Sequence, residues 1–581
     1  MRRIFLVLML WPGVVGATNR YIHQAQGNDA NAGTFAAPYK TCNKVFNLTT
    51  LAAGDTVFIG PGRYDERTDG AGGVFGYYDT GPIALRQSGS TGNPIVIRSW
   101  HDSTRPTILG NLPAGCNDPR TCGTAGWDRF AIEVISNNYI TFDSIVVKHA
   151  VCGFFIDHAH DIVIRNCVSE SIFVTDVGCS DENNTGAIFM GYDNDPVTAH
   201  YTHHNQIMAC TLRTVYDKSC APPYTIFQIG NSGGVLGYNQ NHVQISNTYM
   251  EDCYAGVYWK GRDDSSSIIG CHIKDCSYGV FMAAFPHDDT VAYTIIEDCN
   301  DGINMEAHTD AAHTEGIWRP IVYNNTFFNV QSCSFSNVGG NNQSTYNAKF
   351  WNNIFHYSNQ GIYMFGTSSL WSIDYSNYNL FFSSSSNVGR IQSTSYTLAN
   401  WRTTAHLDSQ STKTNPLFMD TTASGGRDFR LQAGSPAITG GRGGSYESWQ
   451  GALNPGIVDT CPNIATTLPV NGDTVAVYTV PLVFTIDLDD SAESVIFTLW
   501  GEPTDITPDQ VVFVDTLTTD TTLTYDWGPL SEDVPYYFYG SISDSDCTQA
   551  TGIRNFYVNA IAPPVIPPPG GNNIVIGNII R

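Results

Sequence analysis

The sequence predicts an all-β protein in which a long β-solenoid is followed by a small β-sandwich. The phrase EDCYAGVYWK at 251–260 returns after 23 residues as KDCSYGVFMA and after another 23 as EDCNDGINME. A period in the twenties that carries short alternating strands is typical of a solenoid, because each rung buries its face against its neighbours. Short strands separated by polar turns between 460 and 560 indicate the sandwich.

Aligning the three phrases predicts which residues of the solenoid stack on one another. Like residues recur in four columns: Cys253, Cys276 and Cys299; Gly256, Gly279 and Gly302; Val257, Val280 and Ile303; Trp259, Met282 and Met305. Strand alternation then sends Val257 and Trp259 into the core and turns Tyr258 and Lys260 outward. Side chains in stacked rungs point the same way, so we expect the cysteine column to hold buried free thiols instead of disulfides.

The composition excludes two classes of partner. The 581 residues carry a formal net charge of −25, which repels nucleic acid and anionic membranes. Only 14% of the residues are charged, against about 25% in an average protein. Such a chain, rich in uncharged polar residues and β-formers, is typical of an extracellular protein.

Residues 1–17 have the features of a secretory signal peptide. Two arginines precede an apolar run from Ile4 to Trp11, and small residues lead to a predicted cleavage after Ala17. The run is far shorter than the roughly 20 residues that a membrane-spanning helix needs, and no later segment is long and apolar enough. We therefore expect a secreted protein, extracellular or at the cell surface, with no membrane span.

Export makes disulfides possible among the 15 cysteines. Cys116 and Cys122 are expected to close a surface loop. Cys461 and Cys547 bracket the sandwich and are expected to staple it. The odd total leaves at least one thiol free or paired between chains.

Composition divides the chain into four segments. The signal peptide at 1–17 precedes a solenoid body at 18–445, and the sandwich at 460–560 is similar to immunoglobulin-like or fibronectin type III-like modules. A proline-rich linker and a tail ending in NNIVIGNIIR occupy 561–581. This apolar tail is expected to pair as a strand with a partner, which would allow self-assembly.

Longer motifs carry a resemblance to a known superfamily. YIHQAQGNDANAGTFAAPYKTCNKVFNL followed by LAAGDTVFIGPGRYDE resembles the opening segment of secreted right-handed parallel β-helix proteins of the pectate-lyase-like and chondroitinase-B-like superfamily. SGSTGNPIVIRSW and TNPLFMDTTASGGRDFRLQAGSPAITGG resemble the second segment and the terminal rungs of the same group. The resemblance implies a right-handed parallel β-helix over about 21–440. It leaves activity open among lyases, hydrolases, epimerases and tailspike-like binding proteins.

The outward face of the middle rungs is the predicted site for an extracellular polysaccharide. Tyr258 and Phe281 are expected to stack on sugar rings, and His287 and His308 to add hydrogen bonds. Polar residues collect in the adjoining turns GRDDSSS, AFPHDDT and AHTDAAHTEG. Solvated turns collect the same residue types for conformational reasons alone.

Two chemistries fit this face. In β-elimination of a uronic acid, Ca²⁺ neutralises the sugar carboxylate, and Lys260 with Arg262 nearby supplies the base. The predicted calcium ligands are Asp263, Asp264, Asp288 and Asp289. Glycoside hydrolysis is the second chemistry, with Glu306 and one of Asp263 or Asp264 as the carboxyl pair.

Other interpretations remain beside a uronic-acid lyase. The G-H-G and R-I-K motifs of polygalacturonase-type hydrolases are absent, so hydrolysis ranks second. A non-catalytic glycan-binding adhesin, filament or surface structural protein is the alternative from another class. The HYTHH segment at 200–204 contains residue types that ligate transition metals, but no fixed spacing to a further ligand supports that interpretation.

Overall fold

The computed structural model divides the chain into two compact units, Met1–Pro455 and Gly456–Arg581. In the first unit the structure describes residues 17–46, 49–65, 79–100, 105–110, 129–150, 152–174, 185–191, 202–217, 232–284, 286–307, 317–337, 345–357, 360–364, 371–422, 427–444 and 447–453. In the second unit it describes nine strands.

Three long sheets form the walls of the first unit, and nearly all of their pairings are parallel. The first sheet contains Asn19–Ile22, Thr56–Ile59, Ile95–Ser99, Ile140–Asp143, Ile162–Arg165, Gln206–Met208, Gln244–Ser246, Ser267–Ile269, Thr290–Ala292, Ile317–Trp318, Ile321–Tyr323, Thr345–Trp351 and Trp371–Asn377. The second sheet contains Asp79–Leu85, Arg129–Ile135, Cys152–Asp157, Thr185–Met190, Ser232–Asn241, Ala255–Asp264, Tyr278–Ala284, Asp301–Ala307, Ser332–Asn337, Ile362–Met364, Asn387–Ile391 and Thr394–Thr397. The third sheet contains Arg63–Tyr64, Thr107–Leu109, Val146–Ala150, Val168–Val174, Thr211–Asp217, Tyr249–Cys253, His272–Lys274, Ile295–Glu297, Thr326–Val330, Ile354–Tyr357, Leu380–Phe382 and Thr412–Lys413.

This architecture is a parallel β-helix, as predicted. Each turn of the chain contributes one strand to each sheet, and the second and third sheets hold twelve strands each. Parallel pairing begins at Asn19–Ile22, which pairs with Thr56–Ile59. Alternating burial within Ile95–Ser99 shows how one set of side chains per strand fills the interior.

The cysteine column points inward, as predicted. Cys253, Cys276 and Cys299 are all buried in the central core cluster. Each Sγ donates to the carbonyl oxygen two residues before it, at 3.2–3.3 Å, so the three side chains share one orientation. All nine cysteines of the described residues are free thiols. Cys116, Cys122, Cys461 and Cys547 lie outside the described residues, so their pairing stays a prediction.

The glycine column has a steric cause. A Cβ on Gly279 would lie 2.4 Å from the carbonyl oxygen of Gly302 and 2.5 Å from Cγ2 of Ile296. A Cβ on Gly256 would lie 2.8 Å from the carbonyl oxygen of Gly279. Because the next rung approaches so closely, the repeat requires the residue without a side chain at this position.

The corner between the first and third sheets has the same backbone in successive rungs. One residue per rung is left-handed there, with φ between 48° and 65°: Ser144, Asn166, Ala209, Asn247, Gly270, Tyr293, Asn324, Asn352 and Tyr378. Beside this corner, Asn325 donates through Nδ2 to Oδ1 of Asn353 at 3.1 Å, and Asn353 donates in the same way to Asn379. This ladder satisfies buried amides along the axis.

Smaller elements complete the first unit. The short helix Cys42–Phe46 packs Val45 and Phe46 into the core near the first rung, and the helix Leu398–Thr404 buries Trp401 near the last. An antiparallel hairpin, Phe418–Asp420 with Asp428–Leu431, and a 3₁₀ turn at Pro436–Ile438 follow.

The second unit is built from two sheets. Asn463–Leu468, Val480–Asp487 and Thr521–Trp527 form an antiparallel three-stranded sheet. The other sheet holds Asp473–Val475, Val495–Pro503, Val511–Leu517, Pro535–Ser543, Thr548–Ala550 and Arg554–Val558, antiparallel except where the first pairs with the last. Its assignment to immunoglobulin-like or fibronectin type III-like modules stays a prediction.

Candidate functional site

The predicted outward columns exist in the second sheet. Lys260 pairs with Ala283, which pairs with Glu306 in the next rung. The neighbouring outward column runs from Tyr258 through Phe281 to Asn304. A cation and a carboxylate therefore lie two rungs apart on one face of the solenoid.

Tyr258 and Phe281 do not offer their faces to a ligand. Their rings stack on each other with centroids 4.6 Å apart and planes 9° from parallel, and each side chain is 5% exposed. The prediction that they form an open platform for sugar rings is wrong. Rings that stack along the helix axis contact each other through their faces, so those faces are not available to a ligand.

These two rings belong to an apolar layer on the outside of the second sheet. The layer packs separately from the central core and contains Phe130, Cys152, Phe155, Phe189, Leu236, Tyr238, Ala255, Tyr258, Phe281 and Ala283. Strand alternation correctly assigns Tyr258, Phe281 and Ala283 to the outward side, but the outward side is apolar and buried here.

Lys260 lies at the margin of this layer and is partly exposed. Its Nζ lies 5.1 Å from the centroid of the Tyr238 ring, a cation–π contact. Such a contact is an electrostatic attraction between the ammonium group and the face of the ring. The side chain of Arg262, the predicted companion of Lys260, lies outside the described side chains, as does the whole of His308.

Glu306 has a polar setting. Nδ2 of Asn304 donates to its Oε2 at 3.4 Å, and the hydroxyl of Ser334 in the next rung donates to Oδ1 of Asn304 at 2.9 Å. Glu306 is partly exposed, whereas Asn304 is buried. The carboxylate is thus held at the surface by a hydrogen-bonded amide.

Two tyrosines near Glu306 were not predicted as site residues. The rings of Tyr254 and Tyr278 meet edge to face at 5.3 Å. Burial raises the pKa of both phenols, and the charge of Glu306 is a smaller contribution in the same direction. They occupy different positions of the repeat, the fourth and the fifth, so aligning the phrases does not bring them together.

Asp263 and Asp289 point into the solenoid, where each is 1% exposed. Ser266 holds both: its hydroxyl donates to Oδ1 of Asp263 at 2.6 Å, and its N–H donates to Oδ1 of Asp289 at 2.8 Å. The Oδ2 atom of each carboxyl has no hydrogen-bond partner among the described residues. Burial, opposed in part by Ser266, raises the pKa of Asp263 to about 8, and burial beside Asp263 raises the pKa of Asp289.

Asp264 and Asp288 lie on the outer side of the solenoid, at the corner between the second and first sheets. Oδ1 of Asp264 is 3.3 Å from Nδ1 of His287. Asp288 forms an ion pair with Arg319, whose hydrogen bonds hold the pKa of the carboxyl below its ordinary value. Each outer aspartate is therefore paired with a different basic residue.

The structure separates the four aspartates that were predicted to bind calcium together. Asp263 and Asp289 face the core, while Asp264 and Asp288 face outward with their own partners. Within the described part of the chain, no group of three or more His, Cys, Asp or Glu side chains is placed to hold a metal ion. The inward direction of Asp263 also removes it as the carboxyl partner of Glu306.

The acidic residues that precede the repeated cysteines line a cleft of about 590 Å³ on the third sheet. The lining residues are Glu170, Ser171, Arg213, Thr214, Glu251, Asp252, Asp275 and Asp298. Burial raises the pKa of Glu170, but hydrogen bonds from Lys148 and Arg213 outweigh it and lower that pKa overall. The acidic residues that open the repeated phrase thus lie on the third sheet, whereas Lys260 lies on the second.

Comparison with known proteins supports the handedness of the fold. A family model described as "Right handed beta helix region" matches residues 224–380. The chain is therefore a right-handed parallel β-helix protein, as predicted, through its central rungs. No curated protein matches the sequence.

Three solved structures illustrate the likeness. A GH136 lacto-N-biosidase from Eubacterium ramulus is 13% identical, with 68% of this chain and 67% of that chain covered and a TM-score of 0.42. A rhamnogalacturonan lyase is 12% identical, with coverage of 70% and 91% and a TM-score of 0.36. An alginate lyase from Paenibacillus sp. str. FPU-7 is 11% identical, with coverage of 55% and 91% and a TM-score of 0.27. All three TM-scores are below 0.5, so these structures carry no argument about the activity of this chain.

The structure bears on the prediction that the chain has no membrane-spanning helix. None of the helices in the described ranges is long and apolar enough to cross a membrane.

Proposed function

We propose that the protein is an extracellular carbohydrate-active β-helix protein that acts as a lyase on a glycan containing uronic acids. The observation that carries this proposal is the outward column of Lys260, Ala283 and Glu306. Three rungs span about 10 Å, close to two sugar units. A glycan laid along the helix axis would meet a cation, a small residue and a carboxylate in turn.

β-Elimination needs a positive charge near the uronate carboxylate and a base for the proton beside it. As an ammonium ion, Lys260 would neutralise the carboxylate. As a free amine, it would instead remove the proton while the bond to the leaving sugar oxygen breaks, an unsaturated sugar forms and solvent water protonates the departing oxygen; a separate cation would then have to neutralise the carboxylate. A lysine serves as the base only where desolvation or a neighbouring cation makes the free amine accessible, and a bound substrate would supply the desolvation.

Hydrolysis remains the second chemistry. It requires two carboxyl groups about 5–10 Å apart on the face that binds the sugar. Asp263 is buried on the inner side, and Asp264 is paired with His287 at the corner. Glu306 therefore lacks its most direct predicted partner, which favours the lyase.

A non-catalytic glycan-binding adhesin, filament or surface protein is the alternative from another class. The observation that favours it is the outer aromatic layer, in which Tyr258 and Phe281 are packed for stability instead of exposed for substrate. Such a protein would bind a glycan without converting it.

The test is to incubate the purified protein with pectin, alginate, chondroitin and neutral glycans, with and without Ca²⁺. Absorbance of unsaturated products reports a lyase, and new reducing ends without that absorbance report a hydrolase. Lys260→Ala should abolish turnover, whereas Lys274→Ala, on the third sheet beside Asp275, is the matched control and should leave it unchanged. Binding without products would support the adhesin, and full activity of Lys260→Ala would refute the assigned site.

A further inference from the structure

The HYTHH segment places two imidazoles side by side at the corner between the second and first sheets. Nδ1 of His203 lies 2.5 Å from Nδ1 of His204. The ring centroids are 4.7 Å apart and the ring planes are nearly perpendicular, at 83°. Two ring nitrogens this close cannot both present lone pairs to each other, so they must share a proton or a metal ion.

Neighbouring rungs hold both rings in place. His203 stacks on His160 with planes 3° from parallel, and His204 stacks on His242 with planes 6° from parallel, each pair at 4.8 Å. On the far side of the first pair, Nδ1 of His160 contacts Oδ2 of Asp161 at 2.7 Å. The two nitrogens therefore converge from rings that are already oriented by stacking.

The backbone under the pair is equally constrained. His203 forms parallel bridges with His160 on one side and with Asn241 on the other. His204 is left-handed, with a φ of 54°, and its N–H donates to the carbonyl of Asn241 at 3.0 Å. The following residue, Asn205, is buried and accepts from the N–H of Ile162. A ligand pair on such a frame loses little freedom on binding.

We propose that His203 and His204 chelate one divalent transition-metal ion, such as Zn²⁺ or Ni²⁺, through their Nδ1 atoms. Imidazole suits these metals, and water completes the coordination.

The geometry requires one small adjustment. Nitrogen atoms bound to a tetrahedral zinc ion at about 2.0–2.1 Å are roughly 3.3 Å apart, so the rings must separate by somewhat less than 1 Å. His204 is exposed, so the adjustment is made on the solvent side of the pair. The negative net charge of the chain adds a general attraction for the cation.

The experiment uses the full chain after removal of metal with a chelator and dialysis. Titration calorimetry with ZnSO₄ or NiCl₂ at pH 7.5 should show one ion per chain. His203→Ala and His204→Asn should each weaken binding at least tenfold; asparagine is chosen because it tolerates the left-handed backbone of His204. His242→Asn, which removes a stacked ring but no proposed ligand, is the control and should change binding less than threefold.

Two further results decide the proposal. Binding should be lost in wild-type protein between pH 7 and pH 5, because protonated imidazole cannot bind metal. Circular dichroism of each variant separates loss of binding from loss of fold, and the exposed His204 gives a variant that should fold normally. No binding by the wild type, or equal binding by wild type, His203→Ala and His204→Asn, would overturn the chelate. This site is independent of the proposed lyase activity.

Discussion

The buried carboxyls of Asp263 and Asp289 make the stability of the solenoid depend on pH. A carboxyl in the unfolded chain has a pKa near 4, whereas burial raises the pKa of Asp263 to about 8 in the folded state. Between these values the folded protein binds a proton that the unfolded chain releases. The stability contributed by this group is fully present below about pH 4 and is lost as the pH rises to about 8.

The size of the effect follows from proton linkage. When one proton is taken up on folding, the free energy of unfolding falls by about 1.4 kcal/mol for each unit by which the pH rises. Asp263→Asn keeps the shape of the side chain and the acceptor for the Ser266 hydroxyl but removes the titration. From pH 5 to pH 7 the variant should therefore gain about 2–3 kcal/mol relative to the wild type.

Urea unfolding at pH 5, 6, 7 and 8, followed by tryptophan fluorescence and checked for reversibility, measures this difference. Asp264→Asn is the matched control, because that carboxyl lies on the outer side of the same corner beside His287. Its difference from the wild type should vary by no more than about 1 kcal/mol over the same range. A pH-independent difference between Asp263→Asn and the wild type would refute the reasoning.

Three other features lead to measurable predictions. Gly279→Ala should destabilise the solenoid by about 1–3 kcal/mol, seen as a lower Tm, because the new Cβ meets the carbonyl of the next rung. The thiol of Cys276 should resist iodoacetamide in the native protein and react after unfolding, since it is fully buried. Arg427→Met should cost about 3–5 kcal/mol in urea unfolding, because it removes a cation from Glu297 and Asp298 in a mostly buried ion-pair cluster.

Each of these predictions has a result that contradicts it. An unchanged Tm for Gly279→Ala would mean that neighbouring rungs separate freely, and alkylation of Cys276 at the rate of a small thiol would mean that the rungs open. Arg430→Met is the control for the ion-pair variant, because Arg430 pairs with Asp428 at the exposed surface. Equal effects of the two arginine substitutions would show that burial does not govern the cost.

Strand alternation predicts which side of a rung a residue faces. It places Val257 and Trp259 inside, as observed, and turns Lys260 outward. The alternation is informative because a shift of one residue in register would reverse every side chain of a rung. It says nothing of what lies against the outer side. Tyr258 and Phe281 accordingly face outward and are nevertheless buried.

The four predicted calcium ligands are separated at a strand boundary. GRDDSSS was interpreted as a solvated turn, but the strand Ala255–Asp264 continues through its first four residues. Alternation persists there, so Asp263 turns inward and Asp264 turns outward. Adjacent aspartates look equivalent in a sequence, and only the length of the strand tells them apart.

At the left-handed corners, the backbone conformation does not depend on which side chain is present. At the corner between the first and third sheets, serine, asparagine, alanine, glycine and tyrosine all adopt the same unusual backbone. Serine, alanine and tyrosine do not favour that conformation by themselves, so at those positions the stacked rungs on either side impose it. A corner residue can therefore be exchanged for one that binds something new while the chain still turns in the same place. During evolution, substitutions at the corners of such a solenoid can add binding functions without changes in the strands of its sheets.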